Sequence, residues 1–282
     1  MTTRNTLSFC GDQARLRDPD RYLCALFAPP ARREALFALY AFNAEIARAR
    51  ESAREPALGL VRLQWWREAI AGIYAGAPLR HDVVRALAKA VAEHGLARDG
   101  FDRLIDARER DFDPEPPATF ADLENYAEGS SATFVRLALA ALGADDEGAM
   151  RAGRHVGIAW ALVGLLRAVS FHARTRRIYL PADMLAAEGV DVEDVFAGRG
   201  GRGLARVAAT LAGVAADHLR AARALRAETS RAALPALLPA RFAANDLRRL
   251  ARVRHDVFDP RLAASGFARR FDLVAGALVR RY

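Results

Sequence analysis

The sequence predicts an all-α chain, and three observations carry that expectation. Good helix formers dominate: Ala is the commonest residue, at 62 of 282, with Leu and Arg also abundant, while β-branched residues are thin. Apolar residues recur at helical spacing almost from the start. Only one short segment, Ile178-Tyr179-Leu180, reads as extended. With 52% apolar and 27% charged residues, the chain has ample core material, which excludes disorder, collagen and a disulfide scaffold.

Residues 1–17 are expected to form a flexible N-terminal segment. They contain no apolar run of the kind a signal peptide needs. The first strong helix covers 30–51, opened by Pro30, with Leu36, Phe37, Tyr40, Ile46 and Ala47 on neighbouring turns. The next covers 56–74 after Pro56, with Leu60, Leu63, Trp66, Ile70 and Ile73 on one stripe. Further helices are expected near 79–94, 98–110, 119–142, 146–172, 202–228, 230–254 and 261–281, about ten in all, with Asp99, Thr119 and Asp145 as caps. Asp113-Pro-Glu-Pro-Pro117 is a stiff break, and Gly198 to Gly203 a small loop. Neither is a domain linker and no repeat is visible, so 1–282 is expected to form a single domain. The longest clean apolar run, Val156 to Leu166, falls short of the ~20 residues of a membrane span, so the chain is expected to be soluble or peripheral.

The net charge of +8 comes from 41 Arg and the single Lys89, scattered among Asp and Glu, which argues against nucleic acid but leaves room for diphosphates or anionic lipid. Cys10 and Cys24 form neither a disulfide framework nor a metal spacing, in keeping with a cytoplasmic setting. No P-loop, G-x-S-x-G, H-E-x-x-H or dinucleotide fingerprint is present. Gly200-Gly201-Arg202-Gly203 follows no strand and makes a poor phosphate cradle. His155 and His172 share one helical stretch without the i,i+4 spacing of a metal pair. For Trp65-Trp66 two readings stand: a core Trp66 with Trp65 at a helix contact, or a partner-binding edge.

Two segments rise above this background, Leu36 to Glu51 and Gly157 to His172, the second running on through Arg176-Arg-Ile-Tyr-Leu-Pro181. With the Tyr22–Pro30 lead-in, Tyr126 and Leu234–Leu238, these make the chain resemble the squalene/phytoene synthase family over nearly its whole length. The most specific match is Leu166-Arg167 with Arg177 to Pro181. The resemblance implies the isoprenoid synthase fold, a single-domain helical bundle around a central apolar pocket.

Enzymes of that family need two aspartate-rich motifs on facing helices, because Asp at i and i+4 share a helix face and together hold Mg²⁺, a hard cation that bridges to diphosphate oxygens. On that alignment the first motif reads Ala47-Arg48-Ala49-Arg50-Glu51, where Glu51 alone offers oxygen and Arg48 sets a positive charge where the metal would sit. The second places Ala168 and His172 at its Asp positions, and Ala161 and Gly164 where the family's Gln and Asn face the diphosphate. Phe42 to Arg48, Arg62 to Arg67 and Leu165 to Arg174 resemble a phytoene-synthase-like subgroup found in α-proteobacteria and, as an assembly factor of respiratory complex I, in mitochondria.

Three readings follow. The first is a pseudo-enzyme with no metal or cofactor, serving complex I subunits or assembly proteins, cytoplasmic or peripheral at the inner membrane. The second is a prenyltransferase condensing prenyl diphosphates head-to-head, with Mg²⁺ or with Arg48, Arg167, Arg176 and Arg177 as diphosphate clamps. The third is a binding module for an isoprenoid or lipid. Tyr40, Asn43, Glu45 and Tyr179 complete the pocket candidates, with helix packing as the plainer role of Tyr40, Asn43 and Glu45. For Arg174, Arg176 and Arg177 the alternatives are a pocket mouth and a solvated loop.

Overall fold

A computed structural model describes residues 7–51 and 55–262, together with Leu273, Ala277 and Tyr282. Among these residues there are fourteen α-helices and no strand. α1 (Phe9–Arg17) and α2 (Pro19–Ala25) are opened by Ser8 and Asp18, whose side chains accept backbone N–H groups. The expected flexible segment over 1–17 is therefore corrected for its second half. α1 lacks a long apolar stripe but buries Cys10 and Ala14, packing chiefly against the helix that opens at Pro30, and small residues allow that close approach. Residues 1–6 lie outside the described residues.

α3 (Pro30–Ala47) is apolar almost all round and buried accordingly, with Leu36 to Phe42 enclosed by α1, α5 and α8. It stops short of the expected residue 51, and 48–51 form a turn. α4 (Pro56–Tyr74) has the expected bounds. Trp66 is a core residue, edge-on to Phe42 with centroids 5.1 Å apart, and half-buried Trp65 packs against Trp66 and His81. α5 (Asp82–His94) ends on Gly95, in the left-handed region at φ 62°. α6 (Arg98–Glu109) starts after Ala97, so Asp99 lies in the first turn rather than at the cap; its charge still suits that helix end.

The expected helix over 119–142 is one continuous run with a defect in the middle. α7 (Phe120–Ala127) opens on a capping box between Thr119 and Asp122. A single π turn, Glu128–Ala132, then leads into α8 (Thr133–Leu142). α9 (Glu147–Arg174) is capped by Asp146 rather than Asp145. Its Gly157 admits the π turn so closely that a Cβ there would lie 2.4 Å from Cα of Ala132. By length and composition α9 could cross a membrane, but half of its apolar stretch is buried in the fold, against α8, α12 (Arg202–Ala224) and α14 (Pro239–Arg252). Short α10 (Ala182–Ala187) and α11 (Val192–Phe196) lie between α9 and α12. The expected helix over 230–254 is divided, because Pro239 opens α14 after the short α13 (Leu234–Leu237). The one expected at 261–281 lies almost wholly outside the described residues.

Candidate functional site

The ends of α3 and α9 meet at a cavity of about 300 Å³. Ala47, Arg50 and Glu51 reach it from the end of α3, and Phe171, His172 and Thr175 from the end of α9. Arg177 and Tyr179 come from the extended segment that follows, and Asp111 from the 3₁₀ turn after α6. The Pro-rich break fixes that last pairing: carbonyls of Pro117 and Ala118 accept the N–H groups of Ala182 and Asp183 at 2.9 and 3.1 Å, holding the extended segment with Tyr179 beside the Asp111 turn.

Asp111 is the hub. Only 5% exposed, it accepts hydrogen bonds at Oδ1 from the hydroxyls of Tyr126 (2.8 Å) and Tyr179 (2.9 Å), while Oδ2 lies 3.5 Å from Nη1 of Arg108. Arg108 also donates to the Tyr126 hydroxyl at 2.7 Å. Burial and the nearby carboxylate push both tyrosine hydroxyls up, so they stay protonated donors. Burial works against the Arg108 charge, but Tyr126, Asp111 and Tyr179 around it outweigh that and raise its pKa.

His172 packs against Tyr179 with its ring tilted by 50° and ring centroids 4.7 Å apart. Burial pushes its pKa down to about 4, with Arg177 adding to the shift and Asp111 opposing it, so the imidazole is neutral at pH 7. Arg177 lies over the Tyr179 ring at 5.3 Å and donates to the Asp113 carbonyl. The cavity thus has two guanidinium groups, a neutral imidazole, the Glu51 carboxylate and an Asp111 whose oxygens are already engaged. Among the described residues no group of three or more His, Cys, Asp or Glu is arranged to hold a metal ion.

The structure gathers some of the sequence candidates here and disperses others. Ala47, Glu51, His172, Arg177 and Tyr179 line this cavity. Arg48 does not: α3 has ended by then, the residue is exposed on the turn, and Arg50 supplies the charge instead. Arg176 adopts φ 53°, which turns its side chain out to Glu193 (2.6 Å) and over Phe196. Arg167 pairs with buried Asp246 at 2.9 Å and, with Ala168 and Arg174, lines a separate open groove of about 820 Å³. Tyr40 is packed in the core against Phe134, and Glu45 is half-buried on α3; neither lines the described cavities.

Asn43 lines a third space, a chamber of about 170 Å³, together with Arg21, Arg108, Ser131, Trp160, Ala161 and Gly164. It is smaller and more polar than the tail pocket the resemblance implies.

Asp111, Arg108 and Arg50 were not legible as site residues. The one signal for Asp111 was its place immediately before the Pro-rich break, where a rigid chain fixes a neighbouring side chain.

The sequence model of squalene/phytoene synthase matches residues 14–268. The chain is 34% identical over 254 residues to NADH dehydrogenase (ubiquinone) complex I, assembly factor 6, of Homo sapiens, covering 90% of this chain and 76% of that protein. It is 29% identical over 202 residues to presqualene diphosphate synthase of Rhodopseudomonas palustris, covering 71% and 72%. A dehydrosqualene synthase solved with a ligand superposes with a TM-score of 0.85 at 18% identity, over 96% of this chain and 95% of that one. A squalene synthase from Alicyclobacillus acidocaldarius gives 0.78 at 23%, over 87% and 93%. These two structures establish the all-α isoprenoid synthase fold.

Proposed function

The chain belongs to the squalene/phytoene synthase family, and from that premise we propose that it is a non-catalytic member serving in the assembly of respiratory complex I. The identity of 34% to complex I assembly factor 6 across nine-tenths of the chain carries this reading. Its partners on this reading are complex I subunits or other assembly proteins, met peripherally at the cytoplasmic face of the inner membrane.

The chemistry of the mouth supports it. Mg²⁺ requires several oxygen ligands in octahedral array. On this reading the family's motif positions fall on Ala47, Arg48, Glu51, Ala168 and His172, of which Glu51 alone is a carboxylate. Asp111 already accepts two tyrosine hydroxyls, and Arg50 and Arg177 lie in the same cavity, where their charges repel a divalent cation. These residues do not fit a magnesium cluster.

Deleting the gene in its native host tests the proposal. Complex I content on native gels and membrane NADH:quinone oxidoreductase activity should both fall and return with the wild-type gene; unchanged complex I overturns the reading. The identity to presqualene diphosphate synthase favours a second reading, head-to-head condensation of prenyl diphosphates with Arg50 and Arg177 as clamps. Incubating the purified chain with farnesyl diphosphate, with and without Mg²⁺, separates the two. The assembly reading expects neither diphosphate release nor hydrocarbon product.

A further inference from the structure

The first two turns of α4 are apolar on both sides. On the helical repeat Gly59, Leu63 and Trp66 share the face turned to the core, and all three are buried. The opposite face of a helix at a bundle surface is ordinarily polar. At Gln64 and Glu68 it is, and there the Gln64 amide donates to the Glu68 carboxylate at 3.1 Å. Before them it carries Ala57, Leu58, Leu60 and Val61, and the three large side chains are 58%, 41% and 65% exposed. Single exposed apolar residues are ordinary, but three within four positions at one helix end form a patch.

The patch lies at the end of the bundle where the cavity between α3 and α9 opens. The turn that follows α3 packs on the first turn of α4, so closely that a Cβ on Gly59 would lie 2.8 Å from the carbonyl oxygen of Ala49. Residues of that same turn, Arg50 and Glu51, line the cavity together with Phe171 of α9, which is 48% exposed. Charge favours one sign here. Arg48 on the turn, Arg62 one helical turn beyond Leu58 and Arg174 at the end of α9 are exposed, and Arg50 and Arg177 line the cavity. The acids of these segments are Glu51 and Glu55, while Asp111 and Asp113 have arginines of their own in Arg108 and Arg110. This end is therefore net basic around its apolar side chains.

We infer that it is a membrane-docking surface: Leu58, Leu60 and Val61 enter the boundary between headgroups and acyl chains of a bilayer, and the arginines beside them meet anionic headgroups. The inference deepens the peripheral placement in the assembly reading, and rests on that reading for its biological setting. A protein partner fits the patch less well. Three aliphatic side chains fall far short of the roughly 20–30 residues a side of a stable protein interface. Leu and Val are also under-represented among the residues that anchor one. A bilayer asks for no matching shape, only for protruding apolar side chains with cations beside them.

Co-flotation of the purified full chain with lipid vesicles tests it, using phosphatidylcholine vesicles with and without a one-third share of phosphatidylglycerol. The chain should float with the anionic vesicles and bind the neutral ones at least about tenfold more weakly. Leu58→Gln combined with Val61→Gln should lower binding to the anionic vesicles at least about tenfold, with the far-UV circular dichroism unchanged. Leu16→Gln, at an equally exposed leucine on α1, should bind as wild type does. In the wild-type chain, anionic vesicles should slow amide hydrogen exchange over 56–62 and leave α1 unaffected, which decides the matter if the double variant fails to fold. Failure of the wild-type chain to float with anionic vesicles overturns the inference, as does flotation that the double variant retains or that Leu16→Gln reduces as much. Complex I content reads the assembly proposal separately: its loss on gene deletion without any flotation would overturn the docking surface alone and turn the patch over to a protein partner. Flotation with unchanged complex I would overturn the assembly reading and leave the surface standing.

Discussion

Arg108 links the cavity between α3 and α9 to the smaller chamber: it lines the chamber, reaches Asp111 at the cavity, and is used differently by the two. At the mouth, Nη1 of Arg108 joins Asp111, Tyr126 and Tyr179 in a network where the carboxylate is fully engaged. Among the residues that line the chamber, Nε of the same guanidinium, the side-chain oxygen of Asn43 and the hydroxyl of Ser131 are each buried without a partner. A closed buried network holds structure, because removing any member strands the others; an open one leaves capacity for a ligand. Polar residues buried equally deep in one fold can therefore do different work, and their hydrogen-bond accounts tell them apart.

Breaking the closed network should have the largest effect. Asp111→Ala strands the Arg108 charge and two tyrosine hydroxyls, and should cost about 3–5 kcal/mol in urea unfolding, against about 1–3 for Asp111→Asn, which keeps the shape and an acceptor.

Acid should probe the same region. His172 titrates near 4 when folded and near 6.5 when unfolded, so on acidification the unfolded chain takes up the proton first. The stability that comes from keeping His172 neutral is complete above about pH 6.5 and is lost as the pH falls to about 4, a change of about 3 kcal/mol. His172→Gln should flatten that part of the stability–pH curve; an unchanged curve would show that the imidazole is not held neutral.

Gly157 tests the contact between α9 and the π turn. A Cβ there meets the backbone of Ala132, which cannot swing aside as a side chain could. Gly157→Ala should cost about 1–3 kcal/mol by thermal unfolding and displace the π turn, with Ser131 on it.

The smallest effect sharpens the contrast most. Ser131→Ala removes an orphan rather than a partner, and in ligand-free buffer its stability should stay within about 0.5 kcal/mol of wild type. A loss on the scale of Asp111→Ala would mean that Ser131 belongs to a closed network after all.

Much of the fold was legible because its signals are local. Pro56 marks the start of α4, Thr119 caps α7, and the stripe from Leu63 through Trp66 to Ile73 identifies the buried face, although Leu60, expected on the same stripe, is exposed in the first turns of the helix. Misplaced boundaries fell where two local options compete: Asp145 against Asp146 at the start of α9, or a helix that stops at Ala47 with Arg48 to Glu51 still to run. The N-terminal segment was misread because α1 is held by contacts with α3, and its own sequence lacks the apolar stripe that would have announced it.

The sequence by itself determined the all-α class and the family, since helix propensity, proline placement and short motifs act over a few residues. Only the tertiary structure decided which side chains meet. Arg50 and Arg177 face the cavity while Arg48 and Arg176 turn away, because a helix end and a positive φ set their directions. Asp111 became the hub by meeting Tyr179, 68 residues further along the chain. A contact of that range depends on how α6 and α9 are placed by the whole core, and no local periodicity encodes it.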